Sequence, residues 1–154
     1  MRTRSMVLTI ALCLVAAAVC FASDPNMGTW KLNEAKSKIA AGAAKNTSVV
    51  YEAAGDKVKV TVDGVDSDGK PIHNEWTGNF DGKDYPVTGD PTSDSRAYKK
   101  VNDRTLKLTV KKDGKVTASG TIAVSADGKS RTVSTSGNDA KGKKVKSSSV
   151  YDKQ

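Results

Sequence analysis

Tight-turn dipeptides separate short alternating segments along most of this chain, and their spacing limits the possible fold more than any other feature. The pairs are Asp-Gly at 63–64, 68–69, 81–82, 113–114 and 127–128, Asn-Asp at 102–103, and Gly-Asn at 137–138. Hairpin turns of type I′ need positive φ at both central residues, which Asp, Asn and Gly tolerate best. Turns that recur roughly every ten to fourteen residues are typical of an antiparallel meander. Because a long meander must protect its edges, the pattern predicts a closed barrel or two packed sheets.

Between the turns, apolar and polar residues alternate with the period of a half-buried strand. The clearest segments are 57–62 and 105–111, where Val or Leu occupies every second position. Segment 115–124 repeats the alternation and is expected to turn Val116 inward with the later apolar residues. In segment 71–80 the face that carries Trp76 is apolar except at Asn74.

Two segments interrupt the alternation. Residues 34–44 are rich in Ala and Lys, and we expect a short helix or an irregular turn there. Residues 84–91 contain two prolines and a glycine, which predicts the longest ordered loop. The remaining segments predict eight or nine strands in a single domain, because no linker is long enough to divide the chain.

The first 22 residues have the pattern of a secretory signal peptide, which is expected to be helical. Arg2 and Arg4 form a basic start, residues 6–21 are apolar, and Ala22 supplies a small residue for cleavage. We predict cleavage near Ala22, which leaves residues 23–154 as an exported domain, secreted or periplasmic, without a transmembrane segment. The alternatives are a retained membrane anchor and a lipoprotein attached at Cys20.

The predicted mature domain contains no cysteine, because Cys13 and Cys20 both lie in the leader. A disulfide framework, a thiol nucleophile and a cysteine metal site are therefore excluded for that domain. Its stability must come from sheet closure and from packing of the core.

Positive charge is concentrated in the second half of the chain. The net charge is +8 overall, but it is −3 over residues 23–98 and +9 over residues 99–154. A basic half attracts anionic polymers, such as those of a bacterial envelope, whereas the alternative is a solvated surface that resists aggregation. The candidate residues for an anionic surface are Lys107, Lys111, Lys143 and Lys146. We expect no nucleic-acid partner.

The segment GTWKLNEAKSK at 28–38 contains a G-x-W element that resembles the opening motif of the lipocalins and wider calycins. Together with FDGKDYPVTGDP at 80–91 and VYDKQ at 150–154, it is similar to small exported bacterial proteins of lipocalin-like type. This resemblance implies an up-and-down barrel with Trp30 at the closed end and an arginine stacked on its ring as a cation–π pair. Arg131 is the candidate, because it shares a strand face with Val133.

We therefore predict an all-β domain, an eight- to nine-stranded antiparallel up-and-down barrel of lipocalin-like type. Rings at a barrel mouth can hold a small apolar or amphipathic ligand, and the candidates are Trp76, Phe80, Tyr85 and Tyr98. The alternative is that Trp76 and Phe80 fill the interior of a small barrel. The leading functional hypothesis is a binding module without enzymatic activity or cofactor, and the alternative is an envelope interaction protein.

Patterns that carry enzymatic or metal chemistry are weak in this sequence. His73 is the single histidine and lies on the polar face of its segment. The sequence has no G-x-S-x-G nucleophile motif whose serine this histidine could activate. Residues 64–69 partly match a calcium loop, but Gly64 replaces the first ligand and no helices flank the segment. The loop carboxylates Asp81, Asp84 and Asp90 suit turn capping as well as hydrolysis. We predict no catalytic residue and no metal site.

Overall fold

The computed structural model describes residues 24–138 and 142–154, and the predicted signal peptide lies outside these residues. Ten strands form the described part of the chain. They are β1 (Gly28–Lys38), β2 (Lys45–Ala54), β3 (Lys57–Val65), β4 (Pro71–Gly78), β5 (Tyr85–Thr88), β6 (Ser95–Asn102), β7 (Thr105–Lys112), β8 (Lys115–Val124), β9 (Ser130–Asn138) and β10 (Lys144–Lys153). Within the described residues, no helix has the length and apolar character needed to cross a membrane.

Each strand pairs with the next one along the chain, and β1 also pairs with β10, so the sheet closes on itself. All pairs are antiparallel. The predicted up-and-down barrel is therefore confirmed. The predicted number of strands is wrong, because the barrel has ten rather than eight or nine.

The additional strand is β5, which lies inside the segment 84–91 that was expected to be a loop. Its four residues pair on both sides, with Val87 opposite Trp76 of β4 and Tyr85 opposite Arg96 of β6. Val87 is buried in the core. Closure of the barrel requires a bridge between β4 and β6, and this short strand supplies it despite the proline at its second position.

Residues 34–44 were expected to form a helix or an irregular turn, but the first half of this segment belongs to a strand. β1 continues to Lys38, and only residues 39–44 form the connection to β2. The Ser37 hydroxyl supports this extension, because it donates to the Asn33 carbonyl oxygen at 2.7 Å and accepts from the Val150 amide at 2.8 Å. These bonds bridge a register shift against β10 between Asn33 and Lys38.

A bulge reverses the expected direction of Val116. Val110 of β7 lies opposite Ala118, and the next residue, Lys111, lies opposite Val116, so Thr117 is the extra residue on β8. An extra residue moves the side chains beyond it to the other face of the sheet. Val116 is accordingly 58% exposed, whereas Ile122, beyond the bulge, is buried.

The two ends of the barrel differ. We call the end where β1 begins the closed end, and the end where β1 finishes the open end. Trp30, Trp76 and Leu106 are fully buried towards the closed end. Residues 24–27 cover Trp30, whose indole Nε1 donates to the carbonyl oxygen of buried Asn26 at 2.9 Å. The open end carries the loops 39–44, 66–70 and 89–94.

Candidate functional site

The four predicted ligand-binding rings lie together in one aromatic cluster, composed of Trp76, Phe80, Tyr85 and Tyr98. The centroid of the Trp76 ring is 4.7 Å from that of Tyr98, 5.7 Å from that of Tyr85 and 6.4 Å from that of Phe80. Trp76 is buried, and its Nε1 donates to the Arg96 carbonyl oxygen at 3.0 Å. The cluster fills the barrel on the side of the closed end, where β4 finishes.

Gly78 allows these rings to approach the sheet. A methyl group at this position would stand 2.4 Å from the Tyr85 ring and 2.7 Å from the Trp76 ring, which is closer than real side chains come. The glycine therefore removes the Cβ atom that would separate the two rings from the backbone.

A cavity of about 300 Å³ occupies the open half of the barrel interior. Of the four rings in the aromatic cluster, only Tyr98 lines it. The surface of the wall is mainly apolar, and polar residues interrupt it; its aliphatic members are Val49, Val62, Ile72, Leu108, Val110, Ile122 and Val133. The aromatic cluster and the mouth of the barrel are therefore separate, although the sequence pattern predicted the rings at the mouth.

A second space of about 210 Å³ adjoins the first. Val133, Thr135 and Tyr151 line both spaces. Ile39 and Ala43, from the loop between β1 and β2, line the second space only. The interior space therefore extends beneath the loop 39–44 at the open end, where polar residues such as Ser147 and Ser149 also line it.

Arg131 lies at the floor of the larger cavity among three aromatic rings. Its guanidinium carbon is 4.8 Å from the centroid of the Trp30 ring and 4.9 Å from those of Tyr51 and Tyr151. The contact with Trp30 is the one that the lipocalin resemblance implies. The two tyrosines were not among the predicted site residues, although Tyr151 stands directly opposite Arg131 in the pairing of β9 with β10.

Two residues that line this interior have buried polar atoms without hydrogen-bond partners. Arg131 is 2% exposed, and its Nε and Nη1 make no hydrogen bond. Asn74 is 4% exposed, and its Oδ1 likewise has no partner. Buried polar groups in folded proteins are normally satisfied, so such atoms in a cavity wall mark places where a ligand or water can bind. The alternation of segment 71–80 had already indicated Asn74 as a polar residue on an apolar face.

A compact polar network holds one edge of the mouth. The Asp90 carboxylate accepts from Arg96 Nη2 at 2.7 Å, from the Thr92 hydroxyl at 2.7 Å and from the Ser93 hydroxyl at 2.5 Å. Burial alone would raise the pKa of Asp90, but these hydrogen bonds and the charge of Arg96 outweigh it, so the pKa is lowered. The network fixes loop 89–94 in place beside the cavity.

His73 lies on the outer wall of the barrel and not in the cavity. Its Nδ1 is 2.6 Å from Asp63 Oδ1 and its Nε2 is 3.8 Å from Glu75 Oε1, with the ring 59% exposed. The hydrogen bond that the His73 ring donates to the Asp63 carboxylate raises the pKa of His73. This is the setting of a surface histidine paired with neighbouring carboxylates.

The carboxylates considered for hydrolysis or calcium binding serve turns and ion pairs. Asp81 accepts from the Tyr85 hydroxyl at 3.0 Å, and Asp84 accepts from Lys111 Nζ at 2.6 Å. Asp66 caps its own hairpin by accepting from two backbone amides at 2.8 and 2.9 Å. Across residues 24–138 and 142–154, no group of three or more His, Cys, Asp or Glu residues is placed to hold a metal ion.

Two of the four candidate surface lysines share a site. Lys107 and Lys146 line one shallow depression on the outer wall of β7 to β10. Its floor contains the hydroxyl residues Ser119, Thr121, Ser134 and Ser136. Lys111 is paired with Asp84 instead, and Lys143 lies exposed just before β10, so neither belongs to this depression.

No protein-family model matches the chain, and no curated protein matches it. Among solved structures, the chain is similar to a redesigned β-barrel, mFAP1, bound to DFHBI. The two share 17% sequence identity over 84% of this chain and 95% of that chain, with a TM-score of 0.47. At this distance the likeness is one of barrel shape only.

Proposed function

We propose that this protein is a non-enzymatic, exported carrier of lipocalin-like type, which binds a small apolar or amphipathic molecule inside the barrel. The observation that supports the proposal most directly is the cavity of about 300 Å³ with its aliphatic wall. Export is proposed from the signal-peptide pattern of residues 1–22.

The size and lining of the cavity fit a small amphipathic ligand. Small-molecule sites are concave, mainly apolar, and about 300 to 1,000 Å³ in volume, with a few polar groups that set orientation. The larger cavity is near the lower limit of that range, and the adjoining 210 Å³ extends the room available beneath loop 39–44.

Filling the cavity is expected to abolish ligand binding. In Val133→Phe, a larger side chain enters the wall that both spaces share. A panel of medium-chain amphiphiles is titrated against a bound hydrophobic dye, and calorimetry confirms the affinities. We expect saturable binding by the wild-type protein and a loss of at least about ten-fold in Val133→Phe.

The matched control is Ser134→Phe, which adds a phenylalanine at the next position of β9, where the side chain is exposed. This variant should bind as the wild type does. Absence of saturable binding by the wild type across the panel would refute the carrier proposal. Equal loss in both variants would show that the cavity is not the binding site.

The depression that contains Lys107 and Lys146 supports a second candidate function, binding of an anionic envelope polymer. Two ammonium groups flank a floor of hydroxyls, which can donate hydrogen bonds to sulfate, phosphate or carboxylate groups. Such binding is electrostatic and therefore weakens as salt screens it.

Loss of these two charges is expected to weaken retention on heparin. The variant Lys107→Gln/Lys146→Gln should elute at lower salt than the wild type. Lys57→Gln/Lys70→Gln, which removes the same charge from exposed positions on the β3–β4 side, is the control. If both double variants elute together, retention reflects net charge and the depression has no special role.

A further inference from the structure

We infer that the ligand of the cavity carries one anionic group, a carboxylate or a comparable oxyanion, and that this group binds to Arg131 at the floor while the apolar part extends towards the open end. This inference rests on the proposed carrier function. It adds the chemical class of the ligand and its orientation.

The first support is the unmet hydrogen-bonding capacity of Arg131. A guanidinium has five N–H donors that lie in its plane and no acceptor. The rings of Trp30, Tyr51 and Tyr151 attract its charge through their faces, but ring faces do not replace in-plane acceptors. Nε and Nη1 remain without partners although the side chain is buried. An oxyanion is the group that an arginine fork binds best, often through two parallel hydrogen bonds.

The second support is the arrangement of charge along the cavity. The carboxylates in its lining are Asp66 and Asp90, and both lie in loops of the open end with partners of their own. Arg96 is neutralised by Asp90 at 2.7 Å. Among the described residues that line the cavity, Arg131 is thus the cation whose charge no carboxylate offsets. A buried charge without a counter-ion is costly, and an anionic ligand would supply the counter-ion.

The third support is the lining between the floor and the mouth. This part of the wall carries aliphatic side chains, including Val62 and Val110, and the loops of the open end add the carboxylates of Asp66 and Asp90. An amphipathic molecule whose anionic group points inward places its apolar part against the aliphatic side chains, whereas the reverse orientation would bring its anionic group near the two carboxylates. Asn74, whose Oδ1 is an unpaired acceptor, offers a separate contact to a hydroxyl part-way along the chain of such a ligand.

The experiment compares three ligands with the same alkyl chain and different head groups: decanoate, decanol and protonated decylamine. Each displaces a hydrophobic dye from the purified protein at neutral pH. The wild type should bind decanoate at least about ten-fold more tightly than decanol, and decylamine most weakly. Arg131→Met should reduce decanoate affinity by about ten-fold or more and leave decanol affinity within about two-fold. Arg131→Lys, which keeps the positive charge, should retain part of the preference for decanoate.

The head-group comparison separates this inference from the proposed function and from a purely structural role of Arg131. Binding of all three ligands with equal affinity would overturn the inference and leave the carrier function intact. Failure of all three to bind the wild type would overturn both. If Arg131 only supports the Trp30 ring, Arg131→Met should weaken decanoate and decanol equally, which would also overturn the inference. Should Arg131→Met fail to fold, the wild-type preference together with its weakening in Arg131→Lys decides the question.

Discussion

Replacement of Trp30 by alanine should reduce the free energy of unfolding by about 3 to 5 kcal/mol, the range expected when a fully buried aromatic side chain is truncated in a core. Trp30 is 0% exposed. The change also leaves the Asn26 carbonyl oxygen without its donor and removes one of the rings around Arg131. Since small domains are stable by only about 5 to 15 kcal/mol, this variant should be close to unfolding.

Equilibrium denaturation in urea measures the effect, and Trp30→Phe is the control. Phenylalanine keeps an aromatic ring over Arg131 but cannot donate to Asn26, so its cost should be clearly smaller than that of alanine. A loss of less than about 1 kcal/mol in Trp30→Ala would show that the closed end can unfold without the rest of the barrel, contrary to a single cooperative core.

Alkaline solution should unfold this barrel through two buried tyrosines. Burial raises the pKa of Tyr151 to about 12, and burial raises the pKa of Tyr98 further. The folded protein therefore holds these phenolic protons more tightly than the unfolded chain, whose tyrosines titrate near pH 10. The resulting stability is complete below about pH 10 and is lost as the pH rises through the folded pKa values.

For Tyr151 alone the loss should reach about 3 kcal/mol, because a shift of one pKa unit corresponds to about 1.4 kcal/mol. The measurement is the free energy of unfolding in urea at several pH values above neutrality. The double variant Tyr98→Phe/Tyr151→Phe keeps both rings and removes both titrations, so its stability should fall much less steeply. A wild-type curve that is flat across this range, or parallel to that of the variant, would contradict the prediction.

The strand pattern could be predicted because it depends on local chemistry. Asp-Gly turns and period-two alternation are visible in any short window, and they led to a prediction of eight or nine strands where the barrel has ten. The resemblance to lipocalins added the contact between Trp30 and Arg131. β5 was missed because its four residues contain a proline and lie between turns, so their strand character comes from pairing with β4 and β6. The exposure of Val116 was missed for a similar reason, since a bulge is a property of two strands.

The candidate site was only partly predictable. The four rings predicted at the mouth do lie together, but their position along the barrel axis follows from the direction of each strand. β1 begins at the closed end, so β4 must finish there, which brings Phe80 to the same end as Trp30. The cavity lies at the opposite end because the aliphatic residues there leave space that the rings would fill. The environment of Arg131 depends on β2, β9 and β10 together, which no single segment reveals.

The pairing of β1 with β10 joins the first and last strands of the described chain, with Trp30 opposite Lys153. Until residues 144–153 are synthesised and docked, the other nine strands form a sheet with two unpaired borders. Sheet borders of this kind readily recruit other chains, and contacts between distant parts of a sequence form slowly. The folding chain is therefore most prone to self-association before β10 docks, and a variant that lacks this strand would present both unpaired borders to other copies of itself.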